Sequence, residues 1–167
     1  MRTVVTSDEY KTGMRFLAGA VNIVTTVQNG NWFGMTATAV CSASAEPPTV
    51  LVCVNERSAT HEALVASGMF CVNVLGAHDS ALSPAFSGCV PPQERFSHGR
   101  WKLTRAGGLP TLEGALASFD CRIVNIVRCG SHSIFLGEVL DVSIGAATEP
   151  LIYSHGGYWV TKPLACA

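Results

Sequence analysis

Two stretches of the 167-residue chain carry small and polar residues at a spacing that could do chemistry. The first, Gly34 to Ser44, is a predicted strand of small and hydroxyl-bearing residues, followed by Pro47-Pro48. Small residues at 36–39 would let a flat ring lie against the backbone, whose N–H and C=O groups could bond the ring's edge. The second stretch, Cys53 to Thr60, reads as a strand, a turn and the start of a helix.

The predicted helix start is a candidate phosphate site. A helix N-terminus presents unbonded N–H groups and the positive end of the helix dipole. Ser58 and Thr60 add hydroxyl donors there, and Arg57 adds a positive charge. A purely structural interpretation also fits, in which Ser58 caps the helix and Thr36 and Thr38 are ordinary strand residues. These residues by themselves leave both interpretations open.

Charged residues are scarce in this chain. Asp, Glu, Lys and Arg make up 14% of it, against about 25% in an average soluble domain. The stretch 16–45 contains none of them. A net charge of -1 argues against nucleic acid as a partner, and the many apolar residues exclude intrinsic disorder. We expect a subunit interface or a bound cofactor to cover the uncharged stretch.

The length suits a single domain over 1–167, with its core at 8–160 and a tail at 161–167. Polar residues interrupt the uncharged stretch, so we expect no membrane span. The first eleven residues lack the apolar core of a signal peptide, which favours a cytoplasmic protein. The seven cysteines form no C-x-x-C pair, and we expect small buried hydrophobes in a reducing compartment, without a metal.

Hydrophobic periodicity and turn residues predict many strands and few helices, which favours a β-barrel. A long excursion rich in Gly and Pro should follow at 87–112, and a short hairpin should close the chain at 151–160. The remaining predicted elements are a helix beginning at Ser7, strands at 21–27, 32–40, 49–55, 69–75, 118–128 and 133–144, and helices at 58–67 and 78–86.

Several common catalytic motifs are absent from the sequence. There is no G-x-G-x-x-G, no G-x-x-x-x-G-K-[ST] and no G-x-S-x-G, and no two histidines stand at i,i+4. The usual polar machinery of nucleotide-binding folds, serine hydrolases and zinc proteases is therefore missing. Any chemistry would belong to a cofactor.

Eight short segments, in order along residues 8–160, resemble the short-chain flavin reductases, the flavin reductase-like family of FMN-binding split barrels. This family includes the reductase components of two-component flavin monooxygenases. The segments are Phe16-x-x-Gly19-x-Val21-x-Ile23-Val24-Thr25, Gly34-Met35-Thr36-Ala37-Thr38, Ser42-x-Ser44-x-x-Pro47-Pro48, Ser67-Gly68-x-Phe70-x-Val72-Asn73-x-Leu75, Glu94-Arg95-Phe96, Gly108-Leu109-Pro110-x-Leu112, Gly130-Ser131-His132-x-Ile134-Phe135-x-Gly137-Glu138-Val139 and Tyr153-x-x-Gly156-x-Tyr158.

The resemblance implies a six-stranded antiparallel split β-barrel that binds FMN or FAD as a homodimer. It implies hydride transfer from NADH or NADPH to the flavin, with the nicotinamide stacked on the flavin ring. Positioning would supply much of the rate, without a strong acid or base from the protein. The reduced flavin would diffuse to a partner monooxygenase.

The resemblance also assigns residues by position. Those assigned to the flavin are Thr36, Ala37, Thr38, Ala39, Cys53, Val54, Asn55, Arg57, Ser58, Thr60, Phe86, Ser87 and Phe96. Those assigned to NAD(P)H are His132, His155, Gly156, Gly157 and Tyr158. His132 is also the candidate catalytic residue, orienting the nicotinamide against the flavin. Family members commonly carry Asn-Ser where this chain has Thr38-Ala39, so backbone contacts are implied there.

Three alternatives stay open at this level. An FMN-bound oxidoreductase of the same fold could reduce another acceptor, such as a corrin, an iron chelate or an aromatic compound. A non-catalytic flavin-binding protein would share the same residues. A barrel of the pyridoxamine-phosphate-oxidase type fits the helix-start phosphate site, but fits the turn at 155–158 and the segment 42–48 less well.

Overall fold

The computed structural model describes residues 4–146 and 149–163 of the chain. Its helices and strands are α1 Ser7–Met14, β1 Gly19–Ala20, β2 Asn22–Gln28, β3 Asn31–Ala37, β4 Val40–Ala45, β5 Pro48–Asn55, α2 Ala59–Ser67, β6 Met69–Val74, β7 Trp101–Leu103, β8 Pro110–Leu112, β9 Ala117–Cys129, β10 His132–Ile144, β11 Leu151–Ser154 and β12 Gly157–Val160. Short helical turns lie at Ala77–Asp79, Leu82–Pro84, Ala85–Cys89 and Pro92–Ser97.

The largest sheet curls into a barrel because of how its outer strands are connected. Its seven antiparallel strands run in the order β3-β2-β6-β9-β10-β5-β4. β3 and β4 stand at opposite ends of that order, yet only Thr38 and Ala39 separate them in the chain. Two residues span a few ångströms, so the two ends of the sheet must meet. Beside this seam the Cys53 N–H donates to the Ala39 carbonyl at 3.0 Å, which extends the pairing of β5 with β4.

The mostly β antiparallel barrel predicted from the sequence is confirmed, with seven strands in the main sheet rather than six. The extra strand arises where one return strand was predicted at 32–40. The chain instead breaks at 38–39, and β3 ends before β4 begins. A three-stranded sheet, β1-β11-β12, and the pair β7-β8 complete the fold.

Two hydrophobic clusters lie on opposite faces of β2. Val24 packs inside the barrel with Phe70 and Phe135. Ile23 packs outside the barrel with Leu75 and with other residues of the segment 75–112, which includes the excursion. Successive side chains of a strand point to opposite faces, so a strand between two cores is buried on both. This explains the missing charge at 21–26, where every residue is at most 3% exposed.

The expectation that a partner or cofactor covers the uncharged stretch therefore needs a correction. Its central part is buried by the chain's own two clusters. Other parts of the stretch, Phe16 and Leu17 among them, are exposed in this single chain.

Asn73, a buried polar residue on β6, ties the excursion to the barrel. Its Oδ1 accepts hydrogen bonds from the Thr111 hydroxyl, the Leu112 N–H and the Ser118 hydroxyl at 2.8–3.1 Å. Its Nδ2 donates to the Ile23 carbonyl at 3.1 Å. A buried amide satisfied from three segments fixes where they sit, because any loss of register would leave buried polar groups unpaired.

The helix starts are set by hydroxyl caps. α2 begins after Ser58, as predicted, and ends at Gly68 in the left-handed conformation. α1 begins at Ser7, as predicted, and its cap is Thr6, which forms a reciprocal capping box with Glu9.

The six cysteines in the described part of the chain are free thiols. Cys71 and Cys121 are buried as expected, Cys53 is half-buried, and the other three are exposed. Cys166 lies outside the described residues.

Candidate functional site

One open cavity lies where β3, the start of α2 and the 92–96 turn meet. It measures about 780 Å³, within the range of ligand pockets. We call it the cationic cavity, because its lining includes two arginines and no carboxylate. The lining residues are Asn31, Trp32, Phe33, Gly34, Arg57, Ser58, Ala59, Thr60, Pro92, Gln93, Arg95 and Phe96.

The turn before α2 is held by its own polar side chains. Asn55 Oδ1 accepts a hydrogen bond from the Arg57 N–H at 2.9 Å, and the Ser58 hydroxyl accepts one from the Thr60 N–H at 3.2 Å. This arrangement points the positive end of the helix and the Arg57 side chain at the cavity. Both interpretations of Ser58 thus hold together, since it caps α2 and also lines the cavity.

Glu56 fastens the same turn to the neighbouring hairpin. Its carboxylate accepts two hydrogen bonds from the Arg128 guanidinium, at 2.9 and 2.8 Å, and one from the Ser133 hydroxyl at 3.1 Å. These bonds, first those from Arg128, hold the pKa of Glu56 below its usual range. His61 Nε2 lies 2.9 Å from Ser133 Oγ, so His61 belongs to this network and is half-buried.

Aromatic rings form the wall of the cationic cavity opposite α2. Trp32 and Phe96 meet edge to face with centroids 5.3 Å apart, and Phe96 meets Phe86 in the same way at 5.1 Å. Gly34 makes this packing possible, because a Cβ there would stand 2.8 Å from the Phe86 ring. The Arg95 guanidinium donates to the Gly34 carbonyl at 2.9 Å and so closes the wall.

Another cavity, of about 230 Å³, lies between the end of β3, the helical turns at 82–89 and the C-terminal hairpin. We call it the hydroxyl cavity, because six of its lining side chains carry a hydroxyl and none is charged. Its lining residues are Val21, Thr36, Thr38, Ser83, Ser87, Tyr153 and Tyr158.

Ser83 joins the two sides of the hydroxyl cavity. Its Oγ accepts a hydrogen bond from the Tyr158 hydroxyl at 2.8 Å, and its carbonyl accepts one from the Thr36 hydroxyl at 2.7 Å. The Tyr158 ring also packs on Tyr153 at 5.6 Å. Neutral hydrogen bonds of this kind can orient a polar ring without adding a charge to it.

The structure divides the residues assigned to the flavin into four groups. Arg57, Ser58, Thr60 and Phe96 line the cationic cavity, and Thr36, Thr38 and Ser87 line the hydroxyl cavity. Ala39, Cys53 and Asn55 line neither cavity, although Ala39 and Cys53 are bonded to each other at the seam. Ala37, Val54 and Phe86 are at most 7% exposed and point into the core, so only their backbone could reach a ligand.

The assigned NAD(P)H residues are spread over two places. Tyr158 lines the hydroxyl cavity, Gly156 lies in the adjacent β11–β12 turn, and Gly157 is the first residue of β12. His155 begins that turn with a φ of 53°, and its ring packs on Phe16 at 5.0 Å.

His132 starts β10, pairs with Asn55 and lies 2.9 Å from the Ser131 hydroxyl through Nδ1. It lines neither the cationic nor the hydroxyl cavity. The structure therefore places it beside Asn55, at the end of β5 that leads into α2.

Several cavity residues escaped the sequence assignment, among them Trp32, Ser83, Arg95 and Tyr153. Arg95 and Tyr153 stand within the resembling segments, which was the available signal. Trp32 and Ser83 had none, because their roles come from contacts with Phe96 and Tyr158, far away in the chain.

The thiol closest to the assigned site offers no nucleophile. Burial, with smaller effects from Cys129 and Cys41, raises the pKa of Cys53 above its usual range, and the thiolate is the reactive form. Within 4–146 and 149–163 no three His, Cys, Asp or Glu residues are grouped to hold a metal ion. No helix in the described part of the chain is long and apolar enough to cross a membrane.

The barrel carries one cavity whose charge suits a phosphate and one cavity without charged side chains. Comparison with known proteins identifies the family. The model of the flavin reductase-like domain matches residues 14–162. The chain belongs to the flavin reductase-like family.

Relatives of this chain include the FMN reductase (NADH) RutF of Variovorax paradoxus, 45% identical over 93% of this chain and 86% of that protein. Among solved structures, Streptomyces globisporus NADH:FAD oxidoreductase SgcE6, in complex with NAD and FAD fragments, is 30% identical with a TM-score of 0.89, over 98% of this chain and 99% of that one. Nitrilotriacetate monooxygenase component B from Mycobacterium thermoresistibile is 29% identical with a TM-score of 0.88, over 93% and 87%.

Proposed function

We propose that this chain is an NAD(P)H-dependent flavin reductase that transfers a hydride from NAD(P)H to FMN or FAD. The observation that carries the proposal is the pair of cavities on one strand. A cationic cavity with the start of a helix suits the phosphate end of a flavin nucleotide, and an uncharged, hydroxyl-lined cavity suits its reacting end. The names of the relatives, FMN reductase (NADH) and NADH:FAD oxidoreductase, support the same reaction.

Arg57, Ser58 and Thr60 would hold the flavin phosphate, and the backbone of 36–39 would face the edge of the ring. When bound, the flavin supplies the hydride acceptor. The chain's own task is positioning, because hydride transfer needs the reacting atoms about 3–3.5 Å apart and in line. Tyr158 and Ser83 would hold the polar end of a substrate there, and no acid or base from the protein is needed.

A partner monooxygenase would consume the reduced flavin. The relative named as a monooxygenase component supports this partner. The rival function is that of an FMN-bound oxidoreductase with another final acceptor. It would use the same site, but the flavin would stay bound to the protein.

We further propose that the chain acts as a homodimer. The β9–β10 hairpin exposes large apolar side chains near the turn end of β9 and near the C-terminal end of β10, and a second copy would cover them. These residues are Val124, Ile126, Val127, Leu140, Val142 and Ile144. Sedimentation equilibrium distinguishes a dimer from the 17.6 kDa monomer.

A single domain and a cytoplasmic location complete the proposal. The family match over 14–162 supports one domain. The free thiols of the six described cysteines, three of them exposed, support a reducing compartment.

The test is NADH oxidation by the purified protein with added FMN, FAD or riboflavin. We expect turnover with a free flavin and release of the reduced product. Absence of turnover with all three flavins would contradict the reductase function. Turnover only with a bound yellow cofactor and a separate acceptor would favour the rival function.

A further inference from the structure

One carboxyl group lies buried and unpaired away from both the cationic and the hydroxyl cavity. Asp120, on β9, is 3% exposed, and neither of its carboxylate oxygens forms a hydrogen bond with the described residues. Buried polar groups are normally paired, and an ionised carboxylate in such surroundings costs so much free energy that the group tends to bind a proton instead. The burial of Asp120 thus disfavours its charged form.

The residues directly opposite Asp120 are an uncharged thiol and a second carboxylate. Cys71 of β6 stands on one side, and burial raises the pKa of its thiol, so the thiol stays neutral. Asp141 of β10 stands on the other side, and like charges directly opposite each other destabilise a sheet. Burial raises the pKa of Asp120 above its usual range, and Asp141 adds a smaller effect in the same direction.

The positive side chains on the surrounding elements do not pair with Asp120. Arg122, two residues further along β9, donates to Glu138 at 2.6 Å. Lys102 and Arg105, on the β7–β8 hairpin, are exposed and belong to none of the salt bridges among the described residues. An ionised Asp120 would therefore be a buried charge without an opposite charge.

The turn between β7 and β8, residues 104–109, covers Asp120. Gly107 packs so closely on β6 that a Cβ there would stand 2.7 Å from the Met69 side chain. The Thr104 hydroxyl and the Gly107 N–H lie near Asp120 and partly offset the effect of burial on its pKa, but neither is in hydrogen-bond geometry. Because the turn lies over the carboxyl group, water reaches that group when the turn moves away.

We propose that Asp120 is a pH-sensitive latch: while its carboxyl is protonated the 104–109 turn stays closed over β9, and loss of that proton to solvent opens the turn so that water solvates the carboxylate. β7, which leads into the turn, carries Trp101, whose ring packs on Phe96 of the cationic cavity at 5.1 Å. The latch therefore also affects how firmly that wall is held. This effect on the cavity rests on the proposed function, whereas the latch itself is measured without turnover.

The first experiment measures the thermal midpoint of the wild type and of Asp120→Asn as a function of pH. The pKa of Asp120 is raised in the folded protein, so its stabilisation is fully present below the ordinary aspartate pKa of about 3.9 and is lost as the pH rises through the folded value. Asparagine keeps the shape and stays neutral. We therefore expect Asp120→Asn to match the wild type near about pH 4 and to exceed it by about 3 °C or more at about pH 8.

The matched control for this experiment is Asp8→Asn, which makes the same change at an exposed carboxylate of α1. Its thermal midpoint should follow that of the wild type at every pH. Equal midpoints of the wild type and Asp120→Asn at all pH values, or a difference that does not change with pH, overturn the proposal.

The second experiment locates the opening by limited trypsin digestion at about pH 8. Arg105 lies in the turn, and we expect the wild type to be cleaved after it about tenfold faster than Asp120→Asn, since one pKa unit is a tenfold change in the open population. Cleavage after Arg15, at the end of α1, is the internal control and should be equally fast in both proteins. Equal rates after Arg105, or the same acceleration at both sites, overturn the latch.

The third experiment compares KM for FMN at about pH 8. Asp120→Asn keeps the turn closed, so its KM should be about threefold lower than that of the wild type. An unchanged KM overturns the link between the latch and the cationic cavity. Absence of flavin turnover in the wild type would instead refute the reductase function, while the results on the latch itself would still stand.

Discussion

The two cavities both border β3 and yet differ in charge. Residues from the first half of β3, Trp32 and Gly34 among them, border the cationic cavity, while Thr36 near its end borders the hydroxyl cavity. The first cavity has two guanidinium groups, and the second has no charged group. Their difference suggests a division of labour in which charge supplies binding at one end and neutral hydrogen bonds supply orientation at the other.

Reversing the charge of Arg57 should have the largest effect on KM for FMN, because Arg57 lines the cationic cavity. We expect Arg57→Glu to raise KM for FMN about thirtyfold, since a hydrogen-bonded charge pair becomes a repulsion that salt partly screens. KM for riboflavin, which has no phosphate, should stay unchanged. Arg100→Glu, at an exposed arginine outside both cavities, is the control. An equal rise in KM for FMN and for riboflavin would contradict the assignment of the flavin phosphate to the cationic cavity.

Loosening the turn before α2 should have a smaller effect. Glu56→Gln removes the carboxylate that bonds Arg128 and Ser133, so we expect KM for FMN to rise about threefold, with the thermal midpoint lowered at neutral pH. The matched control is Glu138→Gln, which makes the same change at the surface pair with Arg122, outside both cavities. It should leave KM for FMN unchanged.

The pH dependence of the Glu56→Gln variant has a defined sign. The pKa of Glu56 is lowered in the folded protein, so its stabilisation is fully present above the ordinary glutamate pKa of about 4.3. It is lost as the pH falls through the lower folded pKa. The difference in thermal midpoint between wild type and Glu56→Gln should therefore shrink on acidification below about 4.3. A difference independent of pH would mean that packing, not charge, holds the turn.

Removing the Tyr158 hydroxyl should have the smallest effect. Tyr158→Phe loses one neutral hydrogen bond to Ser83, worth about 1 kcal/mol, and should lower the thermal midpoint by about 3 °C and kcat about threefold. KM for FMN should not change, because the phosphate end is untouched. Tyr153→Phe is the control. The Tyr153 hydroxyl forms no hydrogen bond with the described residues, so the thermal midpoint of this variant should match that of the wild type. A raised KM for FMN in Tyr158→Phe would contradict the separate roles of the two cavities.

Much of the fold could be predicted because its signals are local. The Asn29-Gly30 turn gives both residues a positive φ, which matches the twist of a tight hairpin and fixes the register of β2 against β3. The β9–β10 hairpin turns at Gly130 for a similar reason, and both strands lie within two residues of their predicted ends. The break at 38–39 was missed, because small and β-branched residues continue the strand pattern through it.

The candidate site was predictable to a lesser degree. Arg57 and Ser58 could be recognised, because a capped helix start after a strand is visible in the sequence. Phe86 was assigned to the ligand, but it is a core residue, since the missing side chain at Gly34 lets its ring pack against the back of β3. Arg95 was not assigned, because its bond to Gly34 joins residues 61 positions apart.

The sequence by itself determined the class of fold, the order of the strands along the chain and the phosphate-suited helix start, since each follows from periodicity, turn residues and capping. Tertiary structure decided that the barrel closes at Thr38-Ala39, that β2 is buried on both faces, and that the two cavities share β3. The physical reason is that these features depend on contacts between segments distant in the chain. Burial and local charge arise from such contacts, so they cannot be predicted from any one segment of the sequence.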